Sequence, residues 1–144
     1  MKFPIYLDYN ATAPTDPRVV EAMMPYFTQT YGNAASRNHQ FGWEAEQAVE
    51  KARDLLGETI GGGGREIVLT SGATESNNLA ILGVADFYKE KGRHIITSPI
   101  EHKAVIDPCQ ALEQRGYDVT FLDVDDDGCI SLEQLEKSIR PDTI

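Results

Sequence analysis

The sequence predicts an α/β domain with a largely parallel sheet, and three observations carry that expectation. From Glu66 onward, short apolar runs alternate with amphipathic stretches in the order strand, helix, strand, helix, strand. Glycine falls between helix and strand in both Glu90-Lys91-Gly92-Arg93 and Gln114-Arg115-Gly116-Tyr117, where helix C-caps of such units sit. The run Thr70-Ser71-Gly72-Ala73-Thr74-Glu75-Ser76-Asn77-Asn78 directly follows the apolar stretch Glu66–Leu69. A strand that ends in small hydroxyl residues and turns at once into a helix aims free N–H groups and a positive dipole end at one spot, which suits a phosphate.

Residues 1–15 read as an extended arm with turns, polar, small and closed by Pro14, ahead of a domain over 16–144. Asp16-Pro17 offers an N-cap followed by proline in the first helical position, and Val19, Val20, Met23, Met24 and Phe27 recur at helical spacing. Pro25 is expected to kink or shorten that helix. A loop of small residues, Thr30 to Ser36, leads to a long amphipathic helix from about Asn38, with apolar positions Phe41, Ala45, Ala48, Val49, Ala52, Leu55 and Leu56, ended by Gly61 to Gly64. Strands follow at Glu66–Leu69, His94–Thr97 and Asp118–Leu122, with helices over roughly Thr74–Lys91 and Asp107–Arg115, Pro108 marking the start of the latter. A last helix spans Ser131–Ile139, and Pro141–Ile144 reads as the lead-in to another strand, so the domain is expected to be incomplete within this chain.

Composition narrows the function classes. At 144 residues, with 41% apolar and 25% charged residues, the chain is globular in makeup. A formal charge of −10 argues against a nucleic-acid or anionic-membrane surface, which needs clustered Lys and Arg. Much of the acidity lies in Asp118, Asp123, Asp125, Asp126, Asp127, Glu133, Glu136 and Asp142, against Lys137 and Arg140. The first residues lack the apolar core of a signal peptide, and charges or glycines interrupt every apolar run. A soluble cytoplasmic protein is therefore expected. Cys109 and Cys129 lack metal-type spacing and are expected to be small buried apolar groups in a reducing compartment.

Asp123-Val124-Asp125-Asp126-Asp127-Gly128-Cys129-Ile130 matches the first places of a calcium-binding EF-hand loop. The twelfth place is Gln134, which cannot supply the bidentate carboxylate, and the preceding Tyr117–Leu122 alternates like a strand. An acidic turn between strand and helix is the expected reading, with calcium binding the lesser alternative and no metal site assigned.

Four segments in register, Tyr6–Thr12, Gly32–Gly42, Thr70–Asn78 and Glu101-His102-Lys103-Ala104-Val105, resemble the N-terminal part of a cysteine desulfurase of the iron–sulfur assembly type. That resemblance implies the aspartate-aminotransferase-like fold, pyridoxal 5'-phosphate as cofactor, and conversion of L-cysteine to L-alanine with the sulfur left as an enzyme persulfide. It also implies a homodimer that serves sulfur-acceptor and scaffold proteins. By the resemblance, Ala73 and Thr74 bind the cofactor phosphate and His102 stacks on its pyridine ring. The free N–H groups and the Thr74 hydroxyl at a helix start support the first role independently. An ordinary capped helix would explain the same residues, since Ser71 followed by Thr74 and Glu75 caps well.

For His102 the alternative is a surface hydrogen bond at a helix start; its expected place is the carboxyl end of the sheet, on the rim of Thr70–Thr74. His39 and His94 are expected to be structural. By the resemblance, Asn10 lies in an arm that folds back beside the active-site entrance and has a substrate-side role, the alternative being a turn asparagine that serves its own backbone hydrogen bonds. Asn33-Ala34-Ala35-Ser36 departs from the family's Asn-Pro-Ser wording, and four glycines replace its usual connector. Lys89, Lys91 and Lys103 do not match the family's cofactor lysine, and neither Cys109 nor Cys129 matches its persulfide loop. No catalytic residue is assigned, and these residues alone are expected to be inactive and to bind cofactor weakly or not at all. A selenocysteine lyase or another relative of the same fold is the enzymatic alternative. A self-contained doubly wound binding domain is the remaining one.

Overall fold

The computed structural model describes residues 4–144, which divide into two compact units, one up to Val68 and the other Leu69–Ile144. The first three residues of the expected arm lie outside the described residues. The arm from Pro4 is irregular, with a turn in which Ala11 N–H donates to Asp8 C=O (3.1 Å).

The first unit holds α1 (Pro17–Thr28), α2 (Gln40–Ile60) and a 3₁₀ turn at Gly64–Glu66. Asp16 caps α1 by accepting from Arg18 N–H (2.8 Å), with Pro17 at the first helical position, as its spacing predicts. Pro25 does not shorten the helix, which runs on to Thr28. A proline forfeits one backbone bond, while the Pro25 carbonyl still accepts from Gln29 and Thr30 N–H (both 2.8 Å). His39 opens α2 by accepting from Gly42 N–H through Nδ1 (3.2 Å), the structural role expected of it. The left-handed turn at Gly61 (φ 77°) ends the helix, with Gly62 N–H reaching back to Gly57 C=O (2.8 Å).

Glu66–Leu69 is not a strand. Glu66 closes the 3₁₀ turn and Ile67 is extended (φ −91°, ψ 119°), but among the described residues no backbone ladder joins the segment to a neighbour. An extended run becomes a strand only when another supplies its hydrogen bonds.

The second unit runs α3 (Ala73–Tyr88), β1 (His94–Thr97), α4 (Lys103–Glu113), β2 (Asp118–Phe121) and α5 (Leu132–Ser138). β1 and β2 pair in parallel, His94 opposite Asp118 through Thr97 opposite Phe121, which makes β1-α4-β2 the crossover unit the rhythm predicts. On the other side of β1, Thr143 forms a parallel bridge to His94, with His94 N–H on Asp142 C=O (3.1 Å) and Ile144 N–H on His94 C=O (2.9 Å). The expected lead-in to another strand is thus already docked. α3 packs along α4 over a core of Ala85, Ala104, Cys109, Leu112 and Leu122, and Tyr117 Oη donates to Ala85 C=O (2.7 Å). His94 is fully buried, its Nδ1 on Thr143 Oγ1 (2.7 Å) and its Nε2 on Thr120 Oγ1 (2.8 Å), a structural histidine as expected.

Three expectations need correction in this unit. α4 begins at Lys103 instead of Asp107, because His102 caps it and Pro108, buried mid-helix, removes only one backbone bond. Gly116 is left-handed (φ 85°), but Gly92 is not among the glycines with positive φ. Gly92 is required by proximity, since a Cβ there would collide with the Asp142 backbone. Cys109 is buried and Cys129 exposed, so only one of the two cysteines is the core group expected.

The acidic stretch is a tight turn closed by a Val124–Ile130 antiparallel bridge. Asp125 Oδ1 accepts from the N–H groups of Asp127 (3.0 Å) and Cys129 (2.8 Å), and Gln134 grips Asp123 by accepting from its N–H (3.0 Å) and donating to Oδ2 (2.9 Å). β2 leads into this turn where an EF-hand would need a helix.

Candidate functional site

The second unit concentrates its chemistry at two helix starts. α4 returns the chain from the end of β1 to the beginning of the parallel β2, so it runs against both strands and starts at their carboxyl end. α3 lies alongside α4 in the same direction. Leu82 and Asp86 of its later turns, with Lys89 just past its end, line a cleft with Arg93, Leu112, Arg115 and Tyr117 at the opposite end of the sheet. Both helix N-termini therefore face the carboxyl rim, where ligands bind in open α/β sheets. Ala73 and Thr74 occupy the first two positions of α3, and His102 stands immediately before α4.

At α3 the capping residue is Gly72, not Ser71. It has φ 157° and ψ −177°, a region essentially reserved for glycine, and supplies no side-chain cap. Nothing lies within 4 Å of the place a Cβ would take. Among the described residues, the N–H groups of Ala73 and Thr74 find no acceptor, and the first backbone bond of the helix is Ser76 N–H to Gly72 C=O (3.1 Å). Ala73 and Thr74 are exposed. Open space, unspent donors, a hydroxyl and the positive end of a sixteen-residue helix are what a phosphate group needs.

The residues before the cap are held from inside the helix. Glu75 Oε2 accepts from both Ser71 N–H and Ser71 Oγ (2.6 Å each). Thr70 Oγ1 and Ser76 Oγ share a hydrogen bond of 2.6 Å, and Thr70 Oγ1 also donates to Gly72 C=O (3.2 Å). The Ser71 hydroxyl, with its N–H behind it, holds the Glu75 carboxyl below the ordinary glutamate range. Sequence reasoning read Glu75 as part of a cap but missed that it reaches back past the cap residue. A glutamate three positions after a cap residue signals such a reach-back, and Glu75 sits three after Gly72.

His102 accepts from Ala104 N–H through Nδ1 (3.0 Å). A nitrogen that accepts carries no proton, so the neutral ring bears its hydrogen on Nε2. The surface hydrogen bond weighed as the bland alternative for this residue is present, and it leaves the exposed ring's other edge uncommitted. Burial pushes the Cys109 thiol above its usual range, with Glu113 adding to the effect.

The family model for "Aminotransferase class-V" matches residues 5–144. The chain is 57% identical over 144 residues to a "Cysteine desulfurase IscS" of Anaeromyxobacter sp. (strain K), and 60% identical over 146 residues to one of Aeromonas hydrophila subsp. hydrophila. All of the chain is covered in each case, and it spans 36% of the length of these relatives. Among solved structures, a "NIFS-LIKE PROTEIN" superposes with a TM-score of 0.92 at 41% identity, covering 99% of this chain and 39% of that one. A structure titled "SspA in complex with cysteine" gives 0.87 at 42% identity, covering 96% and 40%. The α/β architecture is accordingly part of a larger domain of the aspartate-aminotransferase-like fold, and this chain belongs to the class-V aminotransferase family.

Proposed function

We propose that these residues are the N-terminal, phosphate-holding part of a pyridoxal-phosphate-dependent cysteine desulfurase. The carrying observation is the pair of unspent N–H groups at Ala73 and Thr74 on the rim that also bears His102, in a chain 57–60% identical to proteins named cysteine desulfurase. Ala73 N–H, Thr74 N–H and the Thr74 hydroxyl would hold the cofactor's phosphate, and Gly72 would let the backbone approach without a side chain in the way. His102 would meet the cofactor ring, with Nε2–H as its proton-bearing edge. When bound, the cofactor supplies an electron sink for the carbanion chemistry that separates sulfur from carbon. The net reaction moves the sulfur of L-cysteine to an enzyme thiol as a persulfide and releases L-alanine. A cytoplasmic homodimer that passes sulfur to acceptor and iron–sulfur scaffold proteins completes the proposal, as the motif resemblance implies.

Lys89, Lys91 and Lys103 do not serve as the cofactor's covalent anchor in this proposal. Lys89 pairs with Asp86 (3.1 Å), and Lys91 lies over the Tyr88 ring (4.8 Å to its centroid). Titration of this chain with pyridoxal phosphate, followed through amide resonances, is expected to move Ala73 and Thr74 first. Thr74→Val should weaken that response about tenfold to a hundredfold, the worth of one hydrogen bond to a charged group. Borohydride reduction should leave no stoichiometric adduct on a single lysine. A response confined to lysines, with Ala73 and Thr74 unmoved, would overturn the assignment.

A further inference from the structure

We propose that Glu75 is a positioning residue for the phosphate cradle, holding the Ser71-Gly72 turn so that the N–H groups of Ala73 and Thr74 converge. This rests on the cradle reading given above. Gly72 has no side chain to fix its own conformation, and a glycine in this region of backbone space is free to leave it. Two side chains from the first turn of α3 restrain it. Glu75 takes both donors of Ser71, immediately before Gly72, while Ser76 holds Thr70, whose hydroxyl also reaches the Gly72 carbonyl. The carboxylate also consumes the Ser71 hydroxyl and N–H, so that the donors left open to an anion begin after Ser71, with Ala73 and Thr74 between the equally unspent N–H groups of Gly72 and Glu75 among the described residues.

The charge of Glu75 and its geometry act in opposite directions. A carboxylate in the first turn repels an incoming phosphate, weakly in water and less in salt. As an acceptor it organises the loop before the anion arrives, and preorganisation lowers the cost of binding. If position outweighs charge, the neutral acceptor Glu75→Gln keeps the site while Glu75→Ala loses it. If charge dominates, both variants bind better.

The test is an inorganic phosphate titration of the chain and its variants, read from the Ala73 and Thr74 amide shifts, with far-ultraviolet circular dichroism and a thermal melt to report the fold. Glu75→Ala is expected to weaken phosphate about tenfold and to raise Ser71 amide exchange, while Glu75→Gln stays within about threefold of the parent. Ser71→Ala, which deletes one of the two donors to Glu75, should fall between them and serves if Glu75→Ala does not fold. Equal or tighter binding by Glu75→Ala, or by Ser71→Ala in its place, overturns the proposal while the cradle stands. A Glu75→Gln loss as large as that of Glu75→Ala, or beyond Ser71→Ala where that variant stands in, overturns it likewise. If the parent shows no phosphate shift at Ala73 and Thr74, the cradle itself falls, and its positioning residue with it.

Discussion

Ser71 and Glu75 form a pair that one proton weakens without dissolving. The contact is tighter with the carboxylate than with a neutral acceptor, and the Ser71 hydroxyl and N–H accordingly pull the Glu75 titration below the ordinary glutamate range. A carboxyl whose native value is depressed contributes fully above its unfolded value and loses that contribution as pH falls through its native one. The Ser71 amide resonance should therefore hold its bonded position at neutral pH and move as the solution is acidified, with a midpoint below that of a free glutamate. A midpoint at or above the free value would remove the contact. His102 offers a second check at this scale. Long-range nitrogen–proton spectra of the neutral ring should show the hydrogen on Nε2, and His102→Ala should cost about 1 kcal/mol in urea unfolding through loss of the α4 cap. The histidine itself was legible from its motif. Its cap is the alternative the sequence also offers, set behind the convergence of His102 and Thr70–Thr74 on one rim.

At the scale of elements, the parts read most directly are those whose signals are local. Asp16-Pro17, Ser131 and the Gly61 stop each specify a helix end through their own side chain or backbone freedom, and each is where its residue type predicts. The Glu66–Leu69 segment went the other way because strand identity is a property of a pair. Gly92 is instructive for the same reason. Its sequence position suggested a left-handed cap, whereas the structure requires it for the close approach of Asp142, some fifty residues later. Gly92→Ala should push the 142–144 segment off β1, costing about 1–3 kcal/mol as an overpacking change and raising the exchange rate of the Ile144 amide. An unchanged Ile144 amide would show that the close approach is not needed. The phosphate-cradle motif was visible because it sits within nine consecutive residues; the shared rim required the order of β1, α4 and β2.

Across the whole chain, stability is expected to be divided unequally between the two units. Ala45 is the one buried apolar side chain of the first unit among the described residues, while the second buries Ala85, Ala104, Cys109, Leu112 and Leu122. α1 has no buried residue, and Met23, Met24 and Phe27 are all exposed on it. Hydrogen exchange should then find the most protected amides in α3, α4 and β1, with α1 opening at far lower free energy. Comparable protection in α1 would contradict this division. Exposed apolar faces of this kind favour association, so replacing Met23, Met24 and Phe27 with Gln should reduce sedimentation of aggregates without shifting the melt of the second unit.

His94 ties two distant arrivals to one strand. Its ring bonds Thr120 at a separation of 26 residues and Thr143 at 49. The longer closure costs only about 0.6 kcal/mol more in chain entropy, because that cost grows with the logarithm of loop length. The order of assembly is therefore decided by contacts: four paired residues recruit β2 to β1, whereas one bridge recruits Thr143. In refolding, the β1–β2 amides should gain protection before Ile144 does, and His94 completes its second hydrogen bond only when the later segment arrives.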